Sequence, residues 1–255
     1  MSLFVSPIHQ LILNKAIVFA TEKHAEQTRK STDIPYILHP LEVVQILYSM
    51  RADINLIVAG VLHDTVEDTD TTLDEIKKLF GEDVAQLVAS NSEDKSKSWD
   101  ERKQHTIDEI AKADKRVHML ILADKLSNQR SIAIDYAKIG DEAWKRFNAP
   151  KEKQAWYYGG IQDALYDLQF DDDCKKAYWE LVDTYKDVFV KYYYDERKQV
   201  LYQACTDGDI FKFEKGKFDW LIFEGKIPAT AELVNRKVAE RLEDNWSDLF
   251  AKLSN

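Results

Sequence analysis

Residues 53–68, DINLIVAGVLHDTVED, begin as a run that is apolar almost all round and end in a knot of ionisable side chains. A helix with no polar side has to sit among other elements, because none of its faces can be left to water. The chain therefore needs further helices to wrap this one, and its periodicity supplies them. Ile8, Leu11, Ile12, Lys15, Ala16, Phe19 and Ala20 follow the three-four spacing of a helix with one buried stripe. RKSTDIPYILHP breaks the pattern, and Pro40 suits the first turn of a new helix, LEVVQILYSM. TTLDEIKKLFGEDVAQLV carries a capping-box pattern at Thr72 and Glu75, with Gly81 as a helix stop. NSEDKSKS, residues 91–98, reads as a polar loop. DERKQHTIDEIAK and RVHMLILADKLSNQRSI read as two helices broken at Ala113–Asp114, and a further helix follows Pro150.

These signals predict an all-α bundle over residues 1–170. Residues 171–255 form a second, mainly helical module of aromatic character. Within it, DIFKFEKGKFDWLIF alternates around a Lys-Gly turn and predicts one small β-hairpin. ATAELVNRKVAERLEDNWSDLF reads as a closing amphipathic helix. The aromatic stripe of this module fits a core or a homodimer interface, or a gate over the site, better than a cofactor box.

Composition narrows the function. The formal charge is -10, from 35 basic and 45 acidic residues, which makes a poor binder of nucleic acid or anionic membrane. An anionic ligand then requires a local basic patch. The two cysteines, Cys174 and Cys205, form no CxxC pair, so a reducing, cytoplasmic setting is expected. His9, Gln10, Asn14 and Lys15 interrupt the N-terminal apolar stretch, which reads as an amphipathic helix rather than a signal peptide. No stretch approaches the roughly 18 apolar residues of a membrane span.

The chemistry concentrates at the end of the apolar run. On a continuous helix Glu67 stacks over His63, and Asp68 over Asp64. Three carboxylates and an imidazole at one helix end are either a solvated acidic terminus or the centre of a metal site. Two other segments favour the second reading. PYILHPLE offers His39 just before a helix start, and LILADKLSN offers Asp124 at the polar edge of an apolar helix. A carboxylate after Leu-Ile-Leu-Ala is seldom buried without a partner. His39, His63, Asp64 and Asp124 make a mixed nitrogen-oxygen ligand set for an octahedral ion, with Mn²⁺ favoured over Fe, Co, Ni or Zn.

The order H…HD…D, with HDTVEDT and LADKLSN, resembles the HD-domain metal-dependent phosphohydrolases. Within them the chain is similar to the hydrolase domain of RelA/SpoT-type enzymes and to the stand-alone Mesh1-like small alarmone hydrolases. FATEKHAEQTRKSTDIPYILHPLEVVQIL, AGVLHDTVEDTDTTLDEIKKLFGEDVAQLV, DERKQHTI and LILADKLSNQRSI carry the likeness. It implies an HD-type helical bundle in which His39, His63, Asp64 and Asp124 hold the metal. Glu67 and Asp68 would handle the attacking water and its protons. Arg29, Lys30, Asn128, Lys153 and Tyr157 would bind the nucleotide, with Arg102 and Lys103 facing either the anion or solvent.

The implied reaction is removal of the 3′-pyrophosphate from ppGpp or pppGpp, giving GDP or GTP. Residues beyond 170 are too few for a synthetase domain, so hydrolysis alone is expected. The alternatives are a nucleotide phosphatase acting on a substrate such as NADPH, and a nucleotide sensor without turnover. Two departures stand out. Thr32 and Asp33 replace the Gly usual before the Pro-Tyr step, and Ser127 stands where relatives carry a bulky residue or His.

Overall fold

The computed structural model describes residues 6–30, 32–90, 96–217 and 219–253, with side chains as far as Trp246. The helices are α1 (Pro7–Lys23), α2 (Leu38–Ser49), α3 (Ile54–Leu62), α4 (Thr65–Asp68), α5 (Leu73–Phe80), α6 (Glu82–Ala89), α7 (Trp99–Ile110), α8 (Lys115–Ile139), α9 (Lys151–Ala164) and α10 (Lys175–Phe189). The strands β1 (Val190–Asp195), β2 (Val200–Cys205), β3 (Ile210–Glu214), β4 (Leu221–Ile222) and β5 (Glu232–Val234) precede α11 (Arg236–Leu253). The chain divides into two compact units, Met1–Asn148 with Tyr157–Thr184, and Ala149–Trp156 with Tyr185–Asn255.

In the first unit α3 is the central helix that its composition demands. Every residue from Leu56 to Leu62 is buried, and α1, α2, α6 and α8 pack around it. Asp53 caps it, accepting from the backbone N–H groups of Asn55 and Leu56 at 3.0 and 3.1 Å. Arg116 on α8 forks onto Asp53 and onto Asp83 in the first turn of α6. That one guanidinium ties α3, α6 and α8 together.

The Arg116 and Asn55 donors bring the Asp83 carboxyl down to about 2. A lowered carboxyl stabilises the fold above its unfolded value of about 4 and loses that contribution as pH falls towards 2. Both partners are partly exposed, so screening limits the effect to about 1 kcal/mol. Arg116→Gln is therefore expected to lower urea-unfolding stability by about that amount at pH 7. The gap to wild type should close between pH 4 and pH 2.

Gly60 is required by packing. A Cβ there would lie 2.5 Å from Leu47 Cδ1 and 3.3 Å from Val43 Cγ1 of α2. Leu47 is fully buried, so its Cδ1 would have to shift within a packed core. Gly60→Ala is expected to cost about 1–3 kcal/mol, read as a lower thermal midpoint.

Three expectations need correction in detail. The buried stripe of α1 is Leu13, Ala16 and Ala20, whereas Ile8 and Leu11 are 77% and 71% exposed. Leu11 and Leu13 stand about 200° apart around a helix, so only one of them can face α3. The small Ala16 and Ala20 let the backbones approach on Leu13's side. Secondly, α3 stops at Leu62 and a turn at His63–Asp64 precedes the single-turn α4. The Thr65 hydroxyl donates to the Leu62 carbonyl at 2.7 Å, and His63 Nδ1 lies 2.9 Å from the Gly60 carbonyl. Side chains thus satisfy the last carbonyls of α3 and release the backbone. Helical bonds resume from Asp68 N to Asp64 O at 2.9 Å and from Thr69 N to Thr65 O at 3.1 Å. Thirdly, Thr72 does cap α5, but the full reciprocal capping box is at Ser98 and Glu101, at the start of α7. Residues 91–95 of the expected polar loop lie outside the described residues.

In the second unit the all-α expectation fails. Among the described residues five strands form one antiparallel sheet in the order β4-β3-β2-β1-β5. The expected hairpin exists as β3–β4, with Phe211 opposite Ile222. Where the module was expected to be mainly helical, α10 ends at Phe189, and VKYYYD and VLYQAC follow as strands. Valine and tyrosine suit a pleated surface better than a helix. Gln199, at φ 53°, closes the turn between these strands. Tyr192, Leu201 and Phe213 line the sheet face that packs on Ala239 and Trp246 of α11. The Phe213 and Trp246 rings stack at 5.9 Å.

Candidate active site

The residues that the sequence singled out come from three different elements. His39 lies in the first turn of α2, His63 and Asp64 in the turn after α3, and Asp124 in the middle of α8. All four are buried. His63 Nε2 is 3.0 Å from Asp64 Oδ2 and 3.7 Å from Asp124 Oδ1. His39 Nε2 is 3.2 Å from Asp124 Oδ1 and 3.5 Å from Asp64 Oδ2. Two imidazole nitrogens and two carboxylate oxygens therefore face one point. His39, His63 and Asp124 alone already satisfy the spacing of a metal-binding group.

The donor set fits a divalent cation. The Gly60 carbonyl can only accept, so His63 Nδ1 donates a proton to it and Nε2 is the ring nitrogen turned towards Asp64 and Asp124. That Nε2 is buried without a well-formed hydrogen bond, although Asp64 stands beside it. Burial opposes charging the His63 ring, but Asp64 and Asp124 outweigh it and hold the ring's pKa well above the ordinary value. Burial likewise pushes the two carboxyls up, and neighbouring positive groups outweigh it. His63 and His39 lower Asp64, while Lys125 and the same two rings lower Asp124. Two buried carboxylates kept ionised demand positive charge between them.

The set opens into a cavity of about 220 Å³. Asp64, Glu67, Asp68, Asp124 and Asn128 line it together with Lys97, Arg102 and Lys103, which make a local basic patch. Glu67 is half-buried and Asp68 exposed. Asn128 donates to Asp124 Oδ1 at 2.6 Å and accepts from Arg29 at 3.0 Å. Two of the predicted nucleotide residues are thereby wired to the acidic centre. Lys30 lies off the cavity lining, 3.2 Å from Asn148 Oδ1. Tyr157 is buried, with Lys103 Nζ 4.9 Å from its ring centroid. Lys153 is exposed on α9 and belongs to the other compact unit.

Several lining residues escaped the sequence reading, and two of them, Tyr36 and Lys125, touch the acidic centre. Tyr36 donates to Asp64 Oδ2 at 2.6 Å and lies 3.5 Å from Asp68 Oδ2. Burial and Asp64 push its phenol far above the usual range, so it remains a donor. Lys125 Nζ is 2.6 Å from Asp124 Oδ2. Burial opposes its charge, and Asp124 restores it. Their signals were present: a tyrosine three residues before His39, and a lysine directly after a carboxylate in an apolar run.

A family model described as HD domain matches residues 16–148. A Danio rerio protein named guanosine-3′,5′-bis(diphosphate) 3′-pyrophosphohydrolase MESH1 is 39% identical over 124 residues, 48% of this chain and 69% of that one. An Aquifex aeolicus protein named guanosine-3′,5′-bis(diphosphate) 3′-pyrophosphohydrolase is 42% identical over 129 residues, 49% of this chain. There the match spans only 18% of the relative's length, as it does for the Brucella proteins named GTP pyrophosphokinase rsh. A solved structure described as a metazoan ortholog of SpoT that hydrolyzes ppGpp superposes with a TM-score of 0.57 at 29% identity, covering 69% of this chain and 94% of that one. The Listeria monocytogenes protein lmo0812 gives 0.54 at 36% identity, covering 58% of this chain and 96% of that one. The matched segment runs from α1 to beyond α8 and holds the histidines and aspartates of the buried centre, and by it the chain belongs to the HD-domain family.

Proposed function

We propose that this chain is a Mn²⁺-dependent hydrolase that removes the 3′-pyrophosphate of ppGpp or pppGpp. The carrying observation is the convergence of His39, His63, Asp64 and Asp124 within 3.0–3.7 Å beside the Glu67–Asp68 pair. The names of the Danio and Aquifex relatives support the substrate class. The four residues would hold the ion, and the two imidazoles with two carboxylates suit a transition metal of borderline softness. When bound, such an ion supplies Lewis acidity, polarising a phosphoryl oxygen and making water more acidic.

The chain's own groups do the rest. Water attacks the phosphorus attached to the ribose 3′ oxygen; a P–O bond forms and the P–O3′ bond breaks. Glu67 and Asp68 orient that water and take its proton. The departing 3′ oxygen gains a proton, leaving GDP or GTP and pyrophosphate. Tyr36 steadies Asp64 through its hydroxyl. The Arg29 guanidinium, which donates to the Asn128 amide oxygen, and that amide would face a base or ribose. Lys97, Arg102 and Lys103 offer the phosphates a counter-charge.

A nucleotide panel tests this reading, with Mn²⁺, Fe²⁺, Co²⁺, Ni²⁺ and Zn²⁺ supplied in turn. Pyrophosphate and orthophosphate are read separately. Pyrophosphate from guanosine alarmones, fastest with Mn²⁺, is the expected result. Orthophosphate from NADPH or another monoester would replace the proposal with a phosphatase. No turnover with any metal would leave a nucleotide-binding regulator.

A further inference from the structure

We propose that Ser127 and Glu42 are positioning residues that lock the His39 ring in the tautomer presenting Nε2 to the cation. This rests on the reading of His39 as a metal ligand. His39 Nδ1 lies 2.8 Å from Ser127 Oγ, and Ser127 Oγ donates to Glu42 Oε2 at 2.8 Å. Both His39 and Ser127 are buried. A hydroxyl has one proton and a carboxylate has none to give. The Ser127 proton is committed to Glu42, so towards His39 the hydroxyl can only accept. Nδ1 therefore carries the ring proton, which leaves Nε2, 3.2 Å from Asp124 Oδ1, as the nitrogen offered to a cation.

The relay is anchored at its far end. Arg130 holds the other Glu42 oxygen at 2.9 Å and reaches Glu180 on α10 at 2.7 Å. The spacing makes this regular. His39 and Glu42 are three apart on α2, and Asp124, Ser127 and Arg130 are three apart on α8. Residues three apart share a helix face, and α2 packs directly on α8. The two histidines thus differ in kind. His63 is oriented by a backbone carbonyl that no substitution removes. His39 depends on two side chains, one of which is the Ser127 that departs from the family pattern. Partners of this type usually contribute about 10–100-fold to metal affinity.

The test is Mn²⁺ affinity, measured from the free-ion EPR signal, for wild type, Ser127→Ala, Glu42→Ala and His39→Ala. Ser127→Ala removes the acceptor of the ring proton. Glu42→Ala frees the Ser127 proton to turn towards Nδ1, which would move the ring proton onto Nε2. Each is expected to bind Mn²⁺ about 10–100-fold more weakly, while His39→Ala sets the floor. Glu42 is a third exposed, so Glu42→Ala serves should Ser127→Ala fail to fold. A second readout uses ¹⁵N-histidine-labelled, Zn²⁺-loaded protein. Wild type should show a slowly exchanging His39 Nδ1–H resonance, and Ser127→Ala should lose its protection. Mn²⁺ affinity within threefold of wild type in both variants, with the Nδ1–H signal intact, would overturn the relay. If wild type itself bound no Mn²⁺, the reading of the centre would fall instead, and the relay with it.

Discussion

Asp64→Ala is expected to lose bound metal and catalytic activity together. Asp64 contributes one of the four converging atoms and is the carboxylate nearest His63 Nε2, at 3.0 Å. It also takes the Tyr36 hydroxyl at 2.6 Å, so its removal leaves a half-buried phenol and a buried imidazole facing an apolar methyl. A residue that merely orients a ligand is worth about 10–100-fold in affinity; a ligand itself should exceed that. Metal analysis after dialysis should find less than a tenth of the wild-type content, and turnover should fall below detection. Undiminished metal in Asp64→Ala would remove Asp64 from the ligand set and leave the three-residue group of His39, His63 and Asp124.

The second large effect separates chemistry from metal holding. Glu67→Gln is expected to lower kcat by about 10²–10⁴-fold, the usual contribution of a positioned proton acceptor. It should leave metal content and KM nearly unchanged. Glu67 lines the cavity but is absent from the four atoms that converge. The amide keeps the shape and removes the basicity. Metal loss equal to that of Asp64→Ala would contradict the division of roles.

Much of the site was legible because its residues break local rules. Asp124 follows Leu-Ile-Leu-Ala, and His63–Asp64 follows nine helical residues with no charge. Such placements carry a desolvation cost that needs a partner. The partners themselves were less visible. Tyr36, Lys125 and Glu42 belong to residue types that occur widely without a role, and only tertiary contact shows that each meets a buried ligand candidate.

The fold shows the same contrast. α3 was readable as central because every face of it is apolar. α1 was misread in phase because apolar residues lie on both sides of it, and the packing of Ala16 and Ala20 decides which side is buried. The sheet was missed because Val190–Tyr194 follows α10 with no Gly or Pro between them. The change from helix to strand is made by cross-strand pairing, Tyr193 with Tyr202 and Leu201 with Phe213, and such pairs are not local in sequence.

The central claim is that the buried histidine–aspartate centre makes this chain a 3′-pyrophosphohydrolase acting at phosphorus. Its most direct test is turnover of ppGpp in ¹⁸O-labelled water by the Mn²⁺-loaded wild type, with products separated and weighed by mass spectrometry. The account predicts one GDP and one pyrophosphate per ppGpp, with the label in the pyrophosphate and turnover abolished by chelation. Orthophosphate as the product, label in the nucleotide, or undiminished turnover after chelation would contradict it.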